Sequence, residues 1–194
     1  MDGIECDEEA ISAVADHVGG FFAGHEVDST LYDLGRSRRA AVPGLRILTV
    51  APGPRADGWT YVTAGCWGAA NEEGQGLELV LSAPGRDEGF VELLAMVAYY
   101  HATRWLELRH SVPIGRPWAP GSSCDHLLVS RPRLHGPAFE YCSLPGGRAR
   151  LLEIVPVTAA ELAFRREHGH EALERLFEET GTVPTDPHRP CAVA

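Results

Sequence analysis

Ser122-Ser123-Cys124-Asp125-His126 places a hydroxyl or thiol nucleophile, a carboxylate and an imidazole in five consecutive positions. These are the residue types of nucleophilic hydrolysis. Their spacing argues against that chemistry. Neighbours on a strand point to opposite faces, whereas a triad must converge. No G-x-S-x-G elbow is present either. Metal-ligating types gather in the same half of the chain: His101, His110, Cys124, His126, His168 and His170. Cys124-Asp125-His126 and His168-Gly169-His170 resemble short ligand pairs. No H-x-x-x-H or H-E-x-x-H spacing supports them, and His168 suits the last turn of a helix, where a partly charged imidazole favours the dipole. The sequence therefore gives no catalytic residue, no metal site and no cofactor, and the protein reads as not an enzyme. A small metal-assisted hydrolase using the histidines around 101–126 is the alternative.

The loop His110 to Ser123, HSVPIGRPWAPGSS, is the better functional candidate. Its prolines make it stiff, so it loses little entropy on binding. Arg and Trp are residue types that anchor interfaces. Arg116, Trp118 and the adjoining Asp125 are the candidate partner-binding residues. Trp118 has a second reading, in which it packs onto the core and the prolines merely shape a connection.

These residues must be held by elements that the patterning predicts. The chain is organised around 148–181. Leu151, Leu152, Ile154, Val155 and Val157 form a strand covered on both faces. Thr158-Ala-Ala-Glu161 has capping-box spacing and starts a helix. Gly169 ends that helix, since glycine tolerates the left-handed cap conformation. A second helix runs to Thr180, with Leu173, Leu176 and Phe177 on one face. Thr158, Glu161 and Gly169 are thus structural residues. Upstream, residues 5–23 predict a helix and 24–45 a loop holding the Arg36–Arg39 cluster. Strands at 46–50, 59–67 and 77–81, joined by short polar turns such as 71–76, favour an antiparallel meander. Asp87 caps a long helix reaching Trp105, and further strands follow at 124–129 and 139–144.

Composition narrows the partner classes. The 194 residues suit one domain, and the net charge is −10. Nine Asp or Glu residues precede the first arginine, Arg36, and the chain has no lysine. Such a field repels nucleic acid and anionic membrane and attracts cationic partners. No run of about 18 apolar residues marks a transmembrane helix, and the acidic start does not read as a signal peptide. The expected location is the cytoplasm. Five scattered cysteines without a C-x-x-C pair argue against a disulfide framework.

From residue 77 onward the motif order resembles the suppressor of fused domain family in its bacterial form. The matching pieces are LELVLSAP, the helix around ELLAMVAYYHAT, the loop SVPIGRPWAPGSSCDHLLV, the block LEIVPVTAAELAFRREHGHEALERLFEE and the ending DPHRPCAV. The resemblance implies a mixed sheet flanked by helices, without known catalysis. It implies protein binding: eukaryotic members sequester transcription factors, and bacterial members resemble immunity proteins of polymorphic toxin systems. It also favours the ending Asp186-Pro-His-Arg189-Pro as a structural clasp, with Arg189 pairing a carboxylate. The expectation is a single α+β domain with a mixed, mainly antiparallel sheet, residues 1–45 forming an N-terminal helix and variable acidic region before the family domain at 46–194. The function expected is a non-enzymatic protein-binding module, an immunity protein that occludes a cognate toxin. A basic toxin is the partner that the acidic balance fits; an intracellular scaffold with a non-toxin partner is the further alternative.

Overall fold

The computed structural model describes residues 7–33, 35, 41–70 and 75–193. The Arg36–Arg39 cluster, the acidic residues before Asp7 and most of the expected 71–76 turn lie outside them. In the described residues the strands are β1 (Val27–Leu31), β2 (Arg46–Val50), β3 (Trp59–Ala64), β4 (Gln75–Ala83), β5 (Ser111–Pro113), β6 (His126–Ser130), β7 (Tyr141–Leu144) and β8 (Gly147–Val157). The helices are α1 (Glu8–Phe21), α2 (Glu88–Arg104), the single turn α3 (Pro137–Glu140), α4 (Ala159–His168) and α5 (His170–Glu179). The strands form one sheet in the order β1-β2-β3-β4-β8-β6-β5, with β7 also on β8. The β4–β8 pair is parallel and the remaining pairs are antiparallel. The fold is α+β, with β2, β3 and β4 as the expected meander.

The period of two in the strands separates two cores. On one face Ile47, Tyr61, Leu79, Leu81, Val129, Leu152 and Ile154 pack under Phe90, Leu93, Leu94 and Val97 of α2. On the other, Leu48, Val62, Val80 and Leu151 meet Ile11, Val14, Val18 and Phe22 of α1. Farther along that second face, Leu128 and Val157 meet Leu162 and Leu173, with Val155 and Phe177 packed beside them, under α4 and α5. The central strand β8 carries both cores because it is apolar on both sides.

Several boundaries differ from the sequence reading, each for a physical reason. β1 falls inside the stretch read as loop. It is an edge strand, polar at Asp28, Ser29 and Thr30, that pairs with β2 through its main chain without needing an apolar face. The strand expected over 59–67 stops at Ala64 because Glu78, buried on β4, pulls the next turn inward. Its carboxylate accepts the Gly65 and Trp67 N–H groups at 3.0 Å, the Cys66 N–H at 3.2 Å and the Thr63 hydroxyl. The chain then enters a 3-10 turn at Trp67–Ala70, which lies so close to β4 that a Cβ on Gly76 would sit 2.4 Å from the Trp67 carbonyl oxygen. Residues 137–140 form a helical turn opened by Pro137, where a strand was expected from Phe139. Ser111–Pro113 forms a short edge strand inside the stretch read as loop.

Candidate functional site

The outer side of α2 is the first exposed surface with binding chemistry. Its Asp87 cap accepts the Gly89 N–H at 2.7 Å. The inner residues are committed to the core, which leaves Glu88, Glu92, Met96, Tyr100 and Arg104 outside at four-residue spacing. The strip changes along its length from two carboxylates to a thioether and a phenol. Met96 is 51% exposed, Tyr100 36% and the capping Trp105 40%. Trp105 holds φ at +51°, a left-handed conformation that suits glycine better than tryptophan.

The loop read as partner-binding adjoins this surface. A hollow of about 360 Å³ lies between Asp87, Phe90 and Leu93 at the start of α2 and Arg116, Pro117 and Trp118 of the loop. Arg116 is exposed. Trp118 is not: it is 5% exposed, and its ring centroid lies 5.3 Å from that of Phe90. Its side chain fastens the loop to α2, and its indole N–H has no hydrogen-bond partner. Asp125 is half-buried and pairs with His126 at 2.7 Å.

A second surface lies on the opposite face of the sheet. There β4, β8 and β6 carry Ser82, Glu153 and Ser130 as a polar stripe across adjacent strands. Glu153 is 5% exposed. One of its oxygens accepts the Ser82 hydroxyl at 2.8 Å. With that proton committed, the Ser82 oxygen faces Nε2 of His135 at 3.4 Å, and the His135 ring is enclosed by Phe22 and Phe139. Burial pushes the Glu153 carboxyl up to about 7, against the opposing Ser82 hydrogen bond, and pushes His135 down to about 4. Glu153 forms part of a groove of about 300 Å³ between α5 and the 131–134 segment, lined by Leu128, Val155, Leu173 and Phe177.

The remaining candidates are dispersed. Among the described residues no three His, Cys, Asp or Glu side chains stand together as metal ligands would. His101 is buried in the last turn of α2, where its Nδ1 accepts the Leu106 N–H at 2.9 Å; His170 pairs with Glu174 at 3.0 Å on the other face. Ser122 accepts the Cys124 N–H at 3.1 Å. The structural residues meet at the C-terminal end. Thr158 Oγ1 accepts the Glu161 N–H at 3.2 Å, and Glu161 returns by accepting the Thr158 N–H at 2.9 Å. Gly169, at φ +93°, separates α4 from α5. Arg189 comes from the chain ending to pair with Glu161.

Sequence reasoning missed Glu153, its partners Ser82 and His135, and the exposed strip of α2. Glu153 carried a signal: a single acid inside the otherwise apolar run Leu151 to Val155 is unfavourable unless it has a partner or a use. Glu78 carries the same signal in the run Leu77 to Leu81. No helix among the described residues is long and apolar enough to cross a membrane.

The family described as Suppressor of fused protein (SUFU) matches residues 42–190. A suppressor of fused homolog from Neisseria gonorrhoeae, known from its crystal structure, is 28% identical with a TM-score of 0.82. The match covers 97% of this chain and 99% of that one. A chain of the Sufu–Fu complex shares the fold at 17% identity and a TM-score of 0.66, over 88% of this chain and 84% of that chain. Drosophila Suppressor of Fused does so at 14% identity and a TM-score of 0.64, over 95% of this chain and 51% of that one, so this chain spans about half its length. No curated protein matches.

Proposed function

This chain belongs to the suppressor of fused protein family, and from that premise we propose that it is a non-enzymatic protein-binding module. The carrying observation is the exposed side of α2, where Met96, Tyr100 and Trp105 stand beyond Glu88 and Glu92. Aromatic and thioether side chains supply apolar contact area, and carboxylates beside them select a basic partner. The relative in the Sufu–Fu complex, seen with a protein partner, supports the same class. In this reading Arg116 and Asp125 border the contact, and Trp118 holds their loop against Phe90.

The partner is a basic toxin and the role is that of an immunity protein. The net charge of −10 supports it, as do the exposed carboxylates and aromatic side chains on the outer side of α2. Occlusion needs no bond made or broken. The test is co-expression of the protein with the product of each neighbouring gene, reading growth and co-purification. A neighbour that is toxic alone, and bound and silenced in the pair, carries the proposal. If a neighbour binds without being toxic, the protein is a scaffold in the cytoplasm, and if none binds the toxin reading is lost.

A further inference from the structure

The groove between α5 and the 131–134 segment lies on the other face of the sheet from α2 and plays no part in the proposed toxin contact. Its walls are apolar: Leu128, Val155, Leu173 and Phe177. Its floor holds unused acceptors. One Glu153 oxygen is bonded by Ser82, and the other has no partner among the described residues. The Ser130 hydroxyl, directly across from Glu153 on β6, has none either. His170 also lines the groove. Its Nε2 donates to Glu174 at 3.0 Å, which leaves Nδ1 as an acceptor, and that atom is buried without a partner. At the rim Arg133 is held by Glu174 at 2.5 Å and Glu178 at 3.2 Å, so its charge is already answered. Arg131 is exposed at the same rim, where water screens it.

An ionised carboxylate with one oxygen open to an apolar groove favours a cation beside it. The Glu153 carboxylate, the Ser130 hydroxyl oxygen and His170 Nδ1 each offer an acceptor, and the Ser130 hydroxyl can turn its one donor aside, so the set suits an ammonium group, which has three N–H donors and accepts nothing. The volume is at the small end of ligand sites, enough for a short hydrocarbon body. We propose that this groove is a binding site for a small primary amine with an apolar body. The ammonium group sits on Glu153 and Ser130, and the hydrocarbon lies against Val155, Leu173 and Phe177.

The test is an NMR titration of the intact protein at pH 8 with n-hexylamine and, separately, n-hexanol, which matches it in size without the charge. The site predicts saturable shifts in β6, β8 and α5 with the amine, and at least about tenfold weaker binding of the alcohol, as expected for loss of one charge-assisted contact. Glu153→Gln should erase the preference. Val155→Phe should fill the groove and abolish both titrations. The proposal is overturned by non-saturating amine shifts, by equal binding of the two probes, by an amine preference that survives in Glu153→Gln, or by unchanged amine binding in Val155→Phe.

Discussion

Glu161 and Arg189 meet as a buried two-point ion pair, with Nη1 2.6 Å from Oε1 and Nη2 2.8 Å from Oε2. The same carboxylate caps α4 through the Thr158 N–H and ties down the tail through the Ala192 N–H at 2.9 Å. Arg189 also donates to the Pro156 carbonyl at 3.0 Å. One pair thus joins β8, α4 and the chain ending. Burial alone pushes Glu161 up, but Arg189 and the two N–H groups outweigh it and hold the carboxyl below its ordinary range. A depressed carboxyl contributes stability above its unfolded pKa, and that contribution is lost as pH falls through the folded value.

Arg189→Met should therefore be severe, because it leaves Glu161 ionised and buried without its cation. The expected loss is about 3–5 kcal/mol, which for a chain of this size lowers Tm by roughly 10 °C. Adding Glu161→Gln should recover part of it. Thermal melts of the three proteins check this, and an unchanged Tm for Arg189→Met would remove the clasp.

Glu153 behaves in the opposite sense. Burial raises its carboxyl to about 7, so its contribution is full below the unfolded carboxyl pKa and is lost as pH rises through 7. Glu153→Gln should stabilise the protein at pH 8 by on the order of 2 kcal/mol, and by much less at pH 5. Urea unfolding at both pH values measures the difference. A gain that is equal at both would show that ionisation of Glu153 is not its source.

His101 acts on the acid side, together with His135 and Glu161. Burial lowers its imidazole to about 4, against the opposing hydrogen bond from Leu106. Its contribution is present above the unfolded histidine pKa and is lost as pH falls toward 4. His101→Asn keeps an acceptor near the Nδ1 position and cannot be protonated. The variant should lose less stability than the parent between pH 6.5 and 4, by on the order of 2 kcal/mol. Parallel denaturation at the two pH values reads this directly.

The helices around the C-terminal clasp were legible because their signals are local. The capping box at Thr158 and Glu161, the glycine at 169 and the three-and-four spacing of Leu173, Leu176 and Phe177 each lie within one turn or two. The sites were less legible because they depend on contacts between distant residues. Ser82 reaches Glu153 and His135 only through the parallel pairing of β4 with β8 and the return of the 131–137 segment. The place of Trp118 was decided by Phe90, 28 positions earlier. β1 was hidden because an edge strand needs main-chain partners more than an apolar pattern.

Trp118 and Trp105 should separate packing from recognition. Trp118→Ala removes a buried ring from its contact with Phe90 and should cost about 3–5 kcal/mol, while a partner loses no direct contact. Trp105 is the reverse case. It is partly exposed and held at a φ of +51°, a conformation that costs a non-glycine residue about 1 kcal/mol or more and persists only where something requires it. Trp105→Gly relieves that strain while giving up the indole packing, so Tm should stay within a few degrees. Affinity for a partner captured by co-purification should fall at least about tenfold, as truncation of an aromatic anchor does. Calorimetric titration beside a thermal melt measures both quantities. Full affinity in Trp105→Gly together with full affinity in Tyr100→Ala would take the outer side of α2 off the binding surface.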